Sequence, residues 1–348
     1  MYEYKRYNHD TYMLPIWEGN EIYNETVMFL AEDSVPLLYR PDEIISVMSY
    51  DLKTEYEKGR DYELIDGMLK RLDGSRIPVF AEDEYYPENP APGTFFGSAV
   101  KGHKYIIYGE GTTFFSRQVH VTYTHSDNWW GPVPKKSDKF GKFIEKASKG
   151  EEVTVLFFGD SITTGVCSSK TVGSEPNADC WCEMVVESFK KYFKNDKIKY
   201  INTAVGGMNS DWAIETVKEN AVDIHPDLMF LAFGMNDGWL SPDGYAKKTK
   251  TIIDRFLEGC PDAEVAAVAT MLPHSRVAGF YCAQELQQDA LYELCSEYDN
   301  VGVIPVTSMH RALLEKKRYY DMTGNNVNHP NDFLARIYAQ TSVKTILG

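Results

Sequence analysis

The sequence predicts an α/β domain whose parallel sheet lies between two helical layers, preceded by an all-β domain. After residue 150, five short apolar runs rich in β-branched residues alternate with helical segments, which is the order of a parallel sheet with crossover helices. Before residue 140, short β-type runs alternate with turn residues, which is typical of a β-sandwich. The length of 348 residues agrees with two domains, because one domain usually spans roughly 100 to 200 residues.

Residues 1–135 form the predicted β-sandwich domain. Its β-type runs cover residues 43–50, 62–69, 104–109 and 118–123. A linker is predicted at residues 136–150, because Pro, Gly and polar residues follow Trp130 and such residues mark boundaries that few contacts cross.

Residues 151–348 form the predicted α/β domain. Its five strands are predicted at residues 153–158, 198–204, 228–233, 264–270 and 301–306. Its main helices are predicted at residues 181–189, 211–219, 245–257, 285–298 and 332–346. Five strands that alternate with helices imply a parallel, five-stranded sheet in a three-layer α/β/α architecture.

Chemically useful residues follow three of these strands. Ser161 lies just after the first strand in a Gly-Asp-Ser sequence, Gly207 follows the second strand, and Asn236 follows the third. His329 precedes the last predicted helix. A serine nucleophile needs a base and donors for the developing oxyanion, and open α/β sheets bind ligands at the carboxyl ends of their strands. The alternative structural interpretation is a tight glycine turn in which Ser161 caps a helix.

These blocks and their order resemble the SGNH or GDSL-type hydrolases, whose blocks are a GDS serine, a glycine, a GxND asparagine and a DxxH histidine. The resemblance covers residues 150 to 348 and implies a flavodoxin-like fold and an ester hydrolase that uses no cofactor and no metal. It implies that Ser161 is the nucleophile and His329 the general base and acid. It also implies an oxyanion hole made by the N–H groups of Ser161 and Gly207 and by the Asn236 amide.

One position departs from the family pattern. The family's triad carboxylate stands three residues before the histidine, where this sequence has Asn326. A neutral amide can orient an imidazole, but it cannot stabilise the imidazolium as a carboxylate does. Asn326 itself, a backbone carbonyl, Asp321 or Asp332 could orient His329, and a Ser-His dyad with a neutral acceptor is the favoured interpretation.

The order of the two domains resembles the carbohydrate esterases of family two, which remove O-acetyl groups, include Ser-His dyads and have a jelly-roll-like β-domain. The resemblance implies an acetylated oligosaccharide as substrate. Trp212, Trp239 and Asp160 lie close to the predicted catalytic blocks and are candidate substrate-binding residues. The alternatives are a lysophospholipase or thioesterase, and a carbohydrate-binding protein with an inactive hydrolase fold.

The first domain is expected to serve stability or oligosaccharide recognition and not the chemical step, because every catalytic block follows residue 150. One segment of that domain, residues 109–114, begins like a dinucleotide-binding loop but lacks the third glycine. No His-Glu-x-x-His sequence indicates a metal site.

The composition restricts the partners. A formal charge of −15 disfavours nucleic acid, whose binding relies on clustered Lys and Arg. No run approaches the 18 or so apolar residues of a membrane helix, and the first residues lack a secretory apolar region, so no membrane partner and a cytoplasmic location are predicted. The six cysteines show no CxxC spacing, which disfavours disulfides. The sequence leaves open whether the chain forms a homo-oligomer.

Overall fold

The first half of the chain forms short β-sheets in the computed structural model, which describes residues 3–348. Its strands are β1 (Glu21–Leu30), β2 (Ser34–Val35), β3 (Pro41–Ser49), β4 (Glu55–Tyr56), β5 (Tyr62–Ile65), β6 (Met68–Arg71), β7 (Val79–Phe80), β8 (Phe95–Gly97), β9 (Tyr105–Ile107) and β10 (Gln118–His125). Two short helices accompany them, α1 (His9–Tyr12) and α2 (Glu82–Tyr85).

Three sheets make up this β-rich domain, which confirms its predicted class. The largest has the strand order β4-β3-β10-β1-β7, and the smaller ones have the orders β2-β6-β5 and β8-β9. The predicted run at 62–69 is a hairpin, because Asp66 and Gly67 both have positive φ, at 54° and 78°, and form the turn between β5 and β6. These strand orders do not identify a jelly roll, which has eight strands in two sheets.

The second half of the chain alternates strands and helices. The strands are β11 (Val153–Gly159), β12 (Ile198–Asn202), β13 (Leu228–Ala232), β14 (Glu264–Val268) and β15 (Val301–Ile304). The helices are α3 (Gly141–Ser148), α4 (Trp181–Phe193), α5 (Ser210–Asn220), α6 (Pro242–Gly259), α7 (Gln284–Cys295), α8 (Val306–Leu314) and α9 (Asp332–Leu347). No helix within residues 3–348 has the length and apolar composition needed to cross a bilayer.

The five strands are all parallel and lie in the order β12-β11-β13-β14-β15, which is the flavodoxin-like order. One hydrophobic core packs α3, α4, α8 and α9 against one face of this sheet. A second core packs α5, α6 and α7 against the other face. The predicted three-layer architecture is confirmed, and the strand order reverses between β11 and β13, where such sheets bind ligands.

Residues 136–150 contain helix α3 and not only a connection. Phe140 and Phe143 are buried in the core, and the carboxylate of Glu264 accepts the N–H groups of Lys142 and Phe143 at 2.8 and 2.9 Å. The burial of these apolar side chains makes α3 part of the α/β domain. The sequence had predicted only a linker here.

The two domains share a continuous interface. The first core includes Tyr12 and Val27 of the β-rich domain together with residues of α9. Buried side-chain amides also connect the domains: Gln118 Nε2 donates to the carbonyls of Tyr320 and Thr323 at 2.9 Å. This contact supports the segment between α8 and α9, which carries His329.

A buried ion pair crosses the same interface. The side chains of Lys317 and Glu25 are fully buried and contact each other. Glu25 also accepts hydrogen bonds from the N–H of Leu38 at 2.9 Å and the hydroxyl of Tyr123 at 2.6 Å. These contacts satisfy both charges without water.

Lys317→Met is expected to lower the free energy of unfolding by about 3–5 kcal/mol, because the Glu25 carboxylate would stay buried without its cation. Lys247→Met, at an exposed position in α6, is the control and should change it by less than about 0.5 kcal/mol. Chemical denaturation measures both. Adding Glu25→Gln to Lys317→Met should recover part of the loss. An equal, small effect of both lysine substitutions would contradict the prediction.

Candidate active site

Ser161 lies in a tight turn at the carboxyl end of β11. The turn begins at Gly159, where a Cβ atom would lie 2.5 Å from the carbonyl oxygen of Ala232, so the close approach of β13 requires glycine. The carboxylate of Asp160 accepts the N–H of Ile162 at 3.0 Å and holds the turn from inside. A run of turns at residues 161–173 follows, so Ser161 does not cap a helix, and α4 begins only at Trp181.

His329 faces the hydroxyl of Ser161. Its Nε2 atom lies 2.8 Å from Ser161 Oγ, which is hydrogen-bond distance. The histidine is fixed by its own loop: Asn325 Oδ1 accepts the N–H groups of Val327, Asn328 and His329 at 3.0 to 3.1 Å. The structure thus brings together two residues that are 168 positions apart, as expected for a nucleophile and its base.

Glu110 of the β-rich domain contacts the other side of the imidazole. Its Oε1 lies 3.1 Å from His329 Nδ1, and its Oε2 lies 3.4 Å from the same atom. Glu110 lies in the loop after β9, so a side chain of the first domain contacts the predicted base, although the sequence predicted that this domain plays no part in the chemical step. Asn325 and Cys167 also approach Nδ1, with Asn325 Nδ2 at 2.8 Å and Cys167 Sγ at 3.8 Å.

The Glu110 carboxylate accepts several hydrogen bonds. The Tyr108 hydroxyl donates to it at 2.7 Å, the Cys167 thiol at 2.9 Å and Asn325 Nδ2 at 3.2 Å. Burial raises the pKa of Glu110, but the hydrogen bond and charge of His329, aided by Cys167 and Tyr108, lower it more, and the net pKa is about 2. Burial raises the pKa of the Cys167 thiol well above its usual value. Near neutral pH the site therefore holds a carboxylate beside a neutral thiol.

The groups that the sequence suggested for orienting His329 do not contact it. Asn326 Oδ1 accepts the Tyr85 hydroxyl at 2.7 Å, and Asn326 Nδ2 donates to the carbonyl of Ile107 at 3.0 Å. With φ at 70°, the Asn326 backbone directs its side chain to the β-rich domain.

Asp321 is also turned away from the site. It accepts the N–H of Met28 at 2.8 Å and pairs with Arg318 at 3.0 Å. Asp332 accepts the N–H of Ser169 at 2.8 Å, and Asn331 caps α9. Asp321 thus stabilises the interface between the domains and Asp332 a local turn. Neither carboxylate orients His329, which corrects the roles considered for them.

Two of the three predicted oxyanion donors lie in the loops that follow the two strands beside β11. Gly207 has φ at 79° in the turn after β12, and a Cβ atom on its neighbour Gly206 would lie 3.8 Å from Ser161 Cβ. Asn236 lies in a 3₁₀ turn after β13, and its Nδ2 donates to the carbonyl of Met208 at 2.9 Å. This bond holds the asparagine against the glycine loop and uses one of the two Nδ2 hydrogens.

The three candidate substrate-binding residues have different surroundings. Trp212 packs against Phe158 and Phe233 in the second core, and Asp160 is buried, which raises its pKa to about 7. The burial of Asp160 closes it to a ligand, which corrects that prediction, whereas Trp212 is only partly buried and its substrate-binding role stays a prediction. Trp239 is 65% exposed just after the Asn236 turn and can contact a ligand.

Glu110, Cys167 and His329 also form a cluster of potential metal ligands. One ligand atom of each lies within 4.8 Å of the others. We interpret the cluster as a hydrogen-bond network around the imidazole, because the thiol and the Nδ1 atom already face the carboxylate at hydrogen-bond distances. The predicted independence from metal stays a prediction, to be checked by activity after chelation.

The fold has several relatives among solved structures, whereas no curated protein matches the sequence. A two-domain esterase (CEX) active on acetylated mannans, crystallised with mannopentaose, is 20% identical with a TM-score of 0.50. The alignment covers 61% of this chain and 54% of that one, so this chain matches about half of that protein. A catalytic mutant of Axe2, an acetylxylan esterase from Geobacillus stearothermophilus, is 15% identical with a TM-score of 0.46, over 55% of this chain and 93% of that one.

The sequence itself matches a family model. The match to the GDSL-like lipase/acylhydrolase family covers residues 157–337, which is 181 of 348 residues. It begins within β11, just before Ser161, and ends within α9, just after His329. The chain therefore belongs to the GDSL-like lipase/acylhydrolase family.

Proposed function

We propose that this protein is an esterase that removes O-acetyl groups from oligosaccharides through an acyl-enzyme on Ser161. The observation that carries the mechanism is the 2.8 Å distance between Ser161 Oγ and His329 Nε2. Ser161 Oγ attacks the ester carbonyl while His329 Nε2 takes its proton. The same proton then passes to the leaving sugar hydroxyl. Water, deprotonated by His329, attacks the acyl-enzyme, and His329 returns this proton to Ser161 Oγ as the bond to the acyl group breaks and acetate leaves.

Charge develops on the carbonyl oxygen in each tetrahedral intermediate. In the proposal this oxygen accepts hydrogen bonds from the N–H groups of Ser161 and Gly207 and from the Asn236 amide. The arrangement of the three loops supports it, because the Gly206-Gly207 turn lies beside Ser161 and Asn236 is tied to that loop through Met208.

Two features favour a short acyl group on a sugar over a long acyl chain. Trp239 offers an exposed ring next to the Asn236 turn, and aromatic rings stack on sugar faces. An apolar cavity of about 540 Å³ is lined by Pro132, Pro134, Tyr292 and Met309, among others, and by neither Ser161 nor His329, so it offers no acyl channel to the nucleophile. The two-domain esterase with this fold acts on acetylated mannans, and we propose an acetylated oligosaccharide as the substrate of this chain as well.

Two substrate pairs test the proposal. Turnover of p-nitrophenyl acetate should exceed that of p-nitrophenyl decanoate, and acetylated manno- and xylo-oligosaccharides should release acetate. Faster turnover of the decanoate would favour a lysophospholipase or thioesterase. Oligosaccharide binding without any hydrolysis would favour a binding protein.

Trp239→Ala is expected to raise KM for an acetylated oligosaccharide about 5- to 10-fold, which corresponds to loss of about 1 kcal/mol of stacking. Its kcat/KM for p-nitrophenyl acetate should not change, because that substrate has no sugar ring. Tyr192→Ala removes another exposed aromatic ring, on α4, and is the control. Equal KM values for Trp239→Ala and wild type on the oligosaccharide would contradict a stacking role.

A further inference from the structure

Glu110 lies where a serine hydrolase needs a carboxylate, although it comes from the other domain. We propose that Glu110 orients His329 and stabilises its protonated form, so that the β-rich domain completes the active site. This inference rests on the proposed serine mechanism. It replaces the favoured Ser-His dyad by a triad whose acid lies 219 residues before the histidine in the sequence.

The mechanism specifies the histidine tautomer. To accept the Ser161 proton, Nε2 must carry a lone pair, and the ring proton must therefore be on Nδ1. Nδ1–H needs an acceptor. The Glu110 carboxylate provides one, because Oε2 lies 3.4 Å from Nδ1 in hydrogen-bond geometry and Oε1 lies 3.1 Å away.

Asn325 cannot serve as that acceptor. Its Oδ1 already accepts three backbone N–H groups, which fixes the orientation of the amide and turns Nδ2 towards the imidazole. The two hydrogens of Nδ2 have acceptors in Glu110 Oε1, at 3.2 Å, and Asn328 Oδ1, at 3.0 Å. Asn325 therefore helps to hold the carboxylate, and Glu110 alone among these two side chains can accept from Nδ1.

Asn326, the residue at the family's acid position, is hydrogen-bonded to the strand that precedes Glu110. Asn326 Nδ2 donates to the carbonyl of Ile107, the last residue of β9, and Asn326 Oδ1 accepts the Tyr85 hydroxyl from α2. Ile106 and Phe114, on either side of Glu110 in sequence, pack with Tyr320 and Val327 in a third core. The loop 108–113 is thus anchored at both ends to the domain that carries His329.

The surroundings keep Glu110 charged over the working pH range. The titratable groups that face its carboxylate are His329, Cys167 and Tyr108, and Asp332 acts on Cys167 from behind. Burial raises the pKa values of Cys167 and Tyr108, so both remain neutral donors. With a pKa of about 2, Glu110 contributes a constant negative charge wherever the enzyme is assayed.

Glu110→Gln keeps the shape and removes the charge. We expect kcat for p-nitrophenyl acetate to fall about 10²- to 10⁴-fold with little change in KM, because the carboxylate stabilises the imidazolium only as the proton is transferred. The acid limb of the kcat/KM profile should move to lower pH, since a negative charge that favours the protonated ring is lost. Glu88→Gln, an exposed position in the same domain, is the control and should match wild type in both measurements.

A second variant tests whether the missing carboxylate causes the loss. Asn325→Asp, added to Glu110→Gln, places a carboxylate oxygen where Nδ2 lies 2.8 Å from His329 Nδ1. The double variant should regain at least tenfold of the activity lost in Glu110→Gln. Asn325→Asp alone should lower activity, because two carboxylates would meet at 3.2 Å.

The outcomes separate this inference from the proposed function. Wild type that neither hydrolyses p-nitrophenyl acetate nor reacts with a fluorophosphonate at Ser161 would refute the serine mechanism itself. Active wild type with an equally active Glu110→Gln variant and an unmoved acid limb would overturn the role of Glu110 alone. A folded double variant that stays at the activity of Glu110→Gln would overturn it as well.

Discussion

Ser161→Ala is expected to lower kcat for p-nitrophenyl acetate by about 10⁴- to 10⁶-fold, because no other group can form the acyl-enzyme. The contact of Ser161 Oγ with His329 Nε2 at 2.8 Å is the basis of this expectation. The residual rate should come from substrate binding and the oxyanion donors. Steady-state kinetics measure the loss, and mass spectrometry after fluorophosphonate treatment should find one adduct on Ser161 in wild type and none in the variant.

Ser342→Ala is the matched control, since Ser342 is buried in α9 and its hydroxyl donates to the Tyr338 carbonyl at 2.8 Å. It should retain wild-type kcat. Both variants should keep the wild-type circular dichroism spectrum and a similar Tm. Substantial hydrolysis by Ser161→Ala, or a fluorophosphonate adduct at another residue, would reject the serine mechanism.

The catalytic half of the fold was predictable because its strands are short, apolar and buried on both faces. Every predicted strand of the sheet is present, and all five strands begin at the predicted residues, which are 153, 198, 228, 264 and 301. Burial gives such strands a continuous apolar sequence that local pattern can detect. The positions of Ser161 and Asn236 follow from this, because the carboxyl end of a parallel strand fixes where the next residues lie.

The connection and the β-rich half were less predictable. Helix α3 was missed although Phe140, Phe143, Ile144 and Ala147 have the i, i+3, i+4, i+7 spacing of an amphipathic helix, because the Pro and Gly residues just before it favoured a linker. Strand β1 was missed although eight of its ten residues are buried. Its sequence mixes Asn24, Glu25 and Thr26 with apolar residues, and these polar side chains are buried against partners from distant segments.

Glu110 shows why the site was only partly predictable. The sequence around Glu110 resembles only an incomplete dinucleotide-binding loop. Glycines on both sides of a lone acidic residue are, however, a local signal for an exposed turn that needs their conformational freedom. What gives Glu110 its role is the docking of two domains, and no local pattern encodes that. The one available clue was the amide at position 326, which left open the group that orients His329.

Asn236→Ala is expected to lower kcat for p-nitrophenyl acetate by about 10²- to 10³-fold, or roughly 2.7 to 4 kcal/mol, with a smaller change in KM. The amide would donate to an oxygen that becomes negative only in the transition state, so its loss affects the chemical step more than ground-state binding. The variant also loses the hydrogen bond to the Met208 carbonyl at 2.9 Å, which should lower the free energy of unfolding by about 0.5–1.5 kcal/mol.

Asn300→Ala separates the two effects, because Asn300 donates a comparable bond to the Ala263 carbonyl at 2.8 Å, just before β15 and at the opposite end of the sheet from Ser161. It should show the loss of stability and keep wild-type kcat. A raised KM with unchanged kcat in Asn236→Ala would instead make Asn236 a substrate-binding residue, and the oxyanion would then have only backbone donors.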